Sequence, residues 1–197
     1  MAIEKGSANA MNSYGIMLKN GNGVPVNYEE AIKYFKMAFD HGHIEAICNY
    51  AQMFEFGLGV ERNLNEAIKY YKIGVKKGSA DAIASLALCL YNDESNESNK
   101  IESIKYLKMA VDKGSALAMV QYANVLYDGK VNVQADKEEA AKYFKMAADL
   151  GNEEGMFFYA IMVQEGIGIP INKEEAIKYY KMSINKGYSK AMYIYIA

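Results

Sequence analysis

A chain that restates itself at a fixed spacing has few ways to fold, and this one does so along its whole length. Glycine recurs at Gly6, Gly42, Gly78, Gly114, Gly151 and Gly187, a period of 36 residues with one of 37. A second phrase runs in step with it: EAIKYF from Glu30, EAIKYY from Glu66, ESIKYL from Glu102, EAAKYF from Glu139 and EAIKYY from Glu175. Periods of 20 to 50 residues belong to solenoids and arrays, in which each unit seals its apolar side only against its neighbours. Stacked units of this kind make long surfaces for gripping other chains and seldom gather a catalytic site.

Each period resolves into two helical phrases and a turn. In the first phrase, counted from the glycine, offset four is small (Ala10, Ala46, Ala82, Ala118, Gly155, Ala191). Offset eight is large (Tyr14, Tyr50, Leu86, Tyr122, Tyr159, Tyr195), and offset nine is small again (Gly15, Ala51, Ala87, Ala123, Ala160). Offset twelve is apolar (Leu18, Phe54, Leu90, Leu126, Val163). Steps of four and eight share one side of a helix, so these positions predict a buried stripe. The small residues admit a neighbouring helix and the large ones fill what remains.

The second phrase opens on a capping box. Asn27 with Glu30, Asn63 with Glu66, Asn99 with Glu102, Asp136 with Glu139 and Asn172 with Glu175 each place a cap residue three before a glutamate. Such pairs satisfy orphan amides at a helix start reciprocally. Ala31, Tyr34, Phe35 and Ala38 with their equivalents supply the apolar side, and the phase glycine ends the helix. The turn between phrases carries Gly21, Gly23 and Pro25 in unit one, and Gly166, Gly168 and Pro170 in unit five. Unit three replaces the turn glycines with NDESNESN (92–99) and unit four inserts one residue before Asp136, so these two turns are expected to differ locally.

Taken together, these phrases resemble the Sel-1-like repeat family, relatives of the tetratricopeptide repeat. The resemblance covers five full units and a partial sixth from Gly187, one domain over residues 1–197. It implies an all-α, right-handed superhelix of antiparallel helix pairs, about eleven helices, with first helices on the concave side. It also implies an adaptor or scaffold that assembles complexes. A cysteine-rich branch of the family carries a Cys pair in each repeat; with two cysteines in all, this chain departs from it, and no disulfide framework is expected.

Chemistry is sparse. His41 and His43 flank a helix end, with Cys48 in the next helix, and no fourth ligand has zinc spacing, so no metal or other cofactor is expected. Cys48 and Cys89 should face different sides. The pairs Glu29–Glu30, Glu138–Glu139 and Glu174–Glu175 sit where a first helical turn favours negative charge. The Gly-x-Gly turns follow no strand, which removes a phosphate-loop reading. The lysines at Lys33, Lys36 and their equivalents are partly neutralised by glutamates three or four residues earlier. With 22 basic against 24 acidic residues, nucleic acid is not an expected partner. No apolar run reaches membrane-spanning length and no secretory leader is visible, so a cytoplasmic chain without membrane insertion is expected.

The side opposite the buried stripe does vary between units. Offsets six, seven and ten are Asn12, Ser13 and Ile16, then Cys48, Asn49 and Gln52, then Ala84, Ser85 and Leu88. Val120, Gln121 and Asn124 come next, and then Phe157, Phe158 and Ile161, with Tyr193 and Ile194 beyond. This gradient points to a non-enzymatic scaffold that grips a protein or peptide segment along its groove. Phe157, Phe158, Ile161 and Tyr193 would be the anchors, and Asn12, Asn49, Gln52, Asn124 and Tyr127 the hydrogen-bonding groups. Alanine at both Phe157 and Phe158 is expected to weaken capture without loss of helicity. The alternative is a structural, oligomerising or regulatory segment of a larger protein, its C-terminal apolar end covered by a further helix or a second copy.

Overall fold

The computed structural model describes residues 6–93 and 95–195, with side chains through 192 in the last helix. It contains eleven helices: α1 (Ala8–Asn20), α2 (Tyr28–Asp40), α3 (Ala46–Phe56), α4 (Leu64–Lys76), α5 (Ala80–Tyr91), α6 (Glu97–Asp112), α7 (Ala116–Asp128), α8 (Lys137–Asp149), α9 (Glu153–Glu165), α10 (Lys173–Asn185) and α11 (Ser189–Tyr195). No strand occurs among the described residues. Odd-numbered helices are the first phrases of the repeat, even-numbered ones the second. Two compact units divide between Asn92 and Asp93, so α1–α5 belong to one and α6–α11 to the other.

The helix starts are set by short polar side chains. Ser7, Ser79, Ser115 and Asn152 accept from the third amide of α1, α5, α7 and α9. α3 has no such cap at Glu45; His43 takes the role, its Nδ1 accepting from the Ala46 amide at 3.2 Å. On the even helices, Asn27, Asn63, Asp136 and Asn172 accept from the amides of Glu30, Glu66, Glu139 and Glu175 at 2.9–3.1 Å.

The expected reciprocal half of these boxes is absent, and the reason lies in the fold. The cap residue's own amide is already committed to the preceding helix. It donates to the carbonyl of Leu18, Phe54, Leu126 and Val163 at 2.9–3.1 Å in repeats one, two, four and five. Each bond pins the start of an even helix to the last turn of its odd partner. Glu30 and Glu175 instead meet the side-chain amides of Asn27 and Asn172 at 3.4 Å.

Repeat three departs from this. Its cap is Asn96 and not Asn99, so α6 begins three residues earlier than expected and runs to 16 residues. The Asn99 amide turns to the Asn96 carbonyl, and its side chain donates to buried Asp93 at 2.7 Å. The clamp is therefore missing from the turn at which the two compact units divide. In repeat four the longer turn is absorbed by Val131 and Asn132, whose φ values of 56° and 58° are left-handed.

Within each unit, the small residues do what their spacing implies. A Cβ on Gly74 of α4 would lie 2.6 Å from that of Ala82 in α5, and one on Gly155 of α9 would lie 2.8 Å from that of Ala147 in α8. Beside these contacts stand edge-on tyrosine pairs: Tyr14–Tyr34, Tyr50–Tyr70, Tyr122–Tyr143 and Tyr159–Tyr179, with ring centroids 4.8–5.3 Å apart. Such pairs stabilise by about 0.5–1.5 kcal/mol beyond the area they bury.

The second turn glycine also has a packing role. A Cβ on Gly59 would stand 2.7 Å from the Tyr28 backbone at the start of α2, and one on Gly168 would stand 2.7 Å from the Glu138 amide nitrogen at the start of α8. Both have positive φ, +69° and +67°. The turn of one repeat thus lies directly on the helix start of the repeat before it. Gly168→Ala combines a strained φ with a backbone collision and should cost about 1–3 kcal/mol. Thermal melting followed by circular dichroism checks this; an unchanged Tm would show that the turn does not bear on α8.

Candidate functional site

On the strip opposite the buried stripe, offset six is mostly closed. Asn12, Cys48, Val120 and Phe157 are buried and Ala84 is half-buried, because odd helices pack against neighbouring repeats as well as their own partners. In the first unit the polar members of the strip are engaged with one another. The Asn49 side-chain amide donates to Asn12 Oδ1 at 3.0 Å, and Lys19 Nζ donates to Gln52 Oε1 at 3.4 Å. These bonds bridge α1 and α3. Burial lowers the pKa of Lys19, whose ammonium also lies 5.9 Å from the Phe35 ring centre. Asn12, Asn49 and Gln52 are thus brought together, with much of their bonding capacity used inside the protein.

In the second unit the aromatic members behave differently from one another. Phe157, expected as an exposed anchor, is only 5 % exposed. Its ring is walled by Phe158, Tyr180 and Tyr188 with centroids at 5.3, 6.1 and 5.2 Å, so it fills the junction of α9, α10 and the start of α11. The Tyr193 side chain lies outside the described residues. Phe158 is half-buried and stacks on Phe144 of α8 at 5.1 Å. Between α7 and α9 this stack borders a cavity of about 180 Å³, lined by Asn124, Tyr127, Phe144, Phe158, Ile161 and Met162. Tyr127 stands at its edge under the Lys137 ammonium, 5.4 Å from the ring centre.

Four of the nine expected residues therefore meet at one hollow. Sequence reasoning missed Phe144 and Met162. Phe144 belongs to the KYF phrase, whose spacing marks it only as core. Met162 sits at offset eleven, where Met53, Cys89 and Val125 are likewise buried. That apolar column, and a second at offset five (Met11, Ile47, Ile83, Met119, Met156), is the signal that odd helices are covered on more than one side.

Elsewhere the titratable groups have structural explanations. Burial pushes the Cys48 thiol up to about 11, and both cysteines are buried and outside any disulfide. His41 Nδ1 lies 2.9 Å from the Met37 carbonyl at the end of α2. Among the described residues no group of three or more His, Cys, Asp or Glu could hold a metal ion. Lys145 donates to Tyr179 Oη at 3.1 Å and pairs with Asp149 at 3.2 Å, which raises its pKa, and it stands over the Tyr159 ring. Lys36 pairs with Asp40 of its own helix at 2.7 Å, whereas Lys108 lies over Tyr122 and Lys145 reaches Tyr179, so these last two are tied into the stacking of successive repeats. Burial drives the Glu55 carboxyl upward, opposed by a hydrogen bond from Tyr71 Oη at 2.6 Å.

Five copies of the Sel1 repeat match this chain, at residues 8–43, 44–79, 80–115, 116–152 and 153–188. The chain belongs to the Sel1 repeat family. Each Sel1 match frames one odd helix and the even helix after it. Among solved structures, a Sel1 repeat protein from Oxalobacter formigenes is 27% identical with a TM-score of 0.85, over 95% of this chain and 76% of its own. A protective antigen of uropathogenic Escherichia coli with an SLR fold is 23% identical with a TM-score of 0.81, over 98% of this chain but 41% of its own. An immunity protein from Pseudomonas aeruginosa is 18% identical with a TM-score of 0.66, over 93% of this chain and 67% of its own. The last two likenesses concern the fold alone. A comparison with curated proteins finds no match. Sel1 repeat proteins are generally protein-interaction scaffolds and generally non-catalytic. No helix among the described residues of this Sel1 array is long and apolar enough to cross a membrane.

These placements have two measurable consequences. Phe157→Ala should destabilise the Sel1 array by about 3–5 kcal/mol, and Phe158→Ala by less, in urea denaturation. The Glu55 carboxyl has a folded-state pKa above its unfolded one. Its stabilising contribution is therefore complete below the ordinary glutamate range and is lost as pH rises through the raised value. Glu55→Gln keeps an acceptor for Tyr71 and removes that titration. The stability of the parent relative to the variant should fall as pH rises through and above the ordinary glutamate range, and urea midpoints that stay parallel there would contradict this.

Proposed function

We propose that this Sel1 array is a non-catalytic scaffold that holds a segment of a partner protein against the odd-helix strip of its second unit. The observation that carries the reading is the hollow between α7 and α9. There Asn124, Tyr127, Phe158 and Ile161 border an apolar cavity, whereas the equivalent strip of the first unit is bridged by the Asn12–Asn49 and Lys19–Gln52 bonds. Contiguous apolar surface with a polar margin is a common mark of a protein contact. The membership in a family of interaction scaffolds supports the same reading.

Nucleic acid and membrane insertion have no part in the reading. The lysine column that would otherwise attract phosphate is paired with Asp40 and Asp149 and stacked on tyrosine rings.

A photo-crosslinking residue at Gln121, half-buried on the odd-helix strip, tests this against one at Lys142 on the exposed side of α8. In lysate of the source cell, Gln121 should yield a discrete protein adduct that Lys142 does not, and Ile161→Arg should abolish it. Equal adducts from both positions, or an adduct indifferent to Ile161→Arg, would refute the assignment.

A further inference from the structure

The scaffold reading leaves open what chemistry its cavity accepts, and the inference here rests on that reading. The hollow measures about 180 Å³, and four of its six lining side chains, Phe144, Phe158, Ile161 and Met162, are wholly apolar. A dry cavity of roughly 150 Å³ with aliphatic and aromatic walls holds a benzene ring. An alanine methyl leaves most of such a space empty, whereas a single six-membered ring occupies it. A charged group would lose its hydration against walls that offer nothing in return. The Phe144 and Phe158 rings lie at 5.1 Å with 29° between their planes, and they form one aromatic wall for a third ring.

The remaining lining groups speak to what the ring is attached to. Asn124 is half-buried, and its side-chain amide has no hydrogen bond among the described residues, unlike the Asn12–Asn49 pair of the first unit. An amide offers one acceptor and two donors, the complement of a main-chain peptide group. Tyr127 beside it is held under Lys137. We infer that the cavity receives the benzyl side chain of a phenylalanine on the partner segment, with Asn124 bonding the adjacent peptide group.

The test is a titration of the full chain, monitored through the methyl signals of Ile161 and Met162 in nuclear magnetic resonance, with N-acetyl-phenylalaninamide, N-acetyl-alaninamide and benzene as probes. The phenylalanine amide and benzene should shift both signals saturably, and the alanine amide should not. Asn124→Ala should raise the Kd of the phenylalanine amide by roughly two- to tenfold and leave that of benzene unchanged. Ile161→Phe, which fills the space, should abolish both. No saturable shift, equal shifts from the alanine amide, or binding that survives Ile161→Phe would overturn the inference. So would movement of the same signals on simple dilution, which would make a second copy the occupant. A partner adduct at Gln121 without uptake of the benzyl probes would sink this inference and spare the scaffold. Uptake without an adduct would do the reverse.

Discussion

One main-chain hydrogen bond organises the repeat. The amide of the residue that caps each even helix is given to a carbonyl in the last turn of the odd helix before it, at Leu18, Phe54, Leu126 and Val163. A cap residue needs extended backbone and a free side-chain oxygen, and its own amide then points away from the helix it starts. Supplying a partner from the preceding helix fixes where the second helix of a pair begins. Everything packed between the two, from the tyrosine pairs to the close approach of Gly15 to the Phe35 ring, depends on that placement.

Repeat three lacks this bond, and its geometry shifts accordingly. NDESNESN keeps the length of the turn but supplies an earlier cap in Asn96, and Asn99 is drawn inward to Asp93. The division into two compact units falls there, inside a Sel1 repeat rather than between two. A repeat boundary read from sequence phase and a boundary of packing need not coincide. The first reflects ancestry of the unit, and the second reflects which hydrogen bonds and close contacts are made.

The candidate site arises from the same logic. Large apolar residues in α9 do not all reach the surface, because α10 and Tyr188, just before α11, cover the side on which Phe157 lies. Phe158, one residue on and roughly 100° around the helix, meets Phe144 instead and leaves a hollow against α7. In the first unit, side chains at corresponding positions are small or amide-bearing, and they close upon one another. The difference between a bridged strip and an open cavity thus comes from side-chain identity on a shared backbone frame.

The sequence alone determined the number and order of the helices, their phase, four of the five even-helix caps and the small-large alternation at offsets four, eight and nine. Each of these is local or periodic, so spacing encodes it. It also brought Asn124, Tyr127, Phe158 and Ile161 onto one strip. Only the tertiary structure decided which of that strip is open. Phe157 and Phe158 are chemically identical, and neighbours from α8, α10 and the turn that holds Tyr188 separate them into core and rim. Burial on a helix surrounded on several sides depends on residues far away in the chain, and no pattern within the helix itself records them.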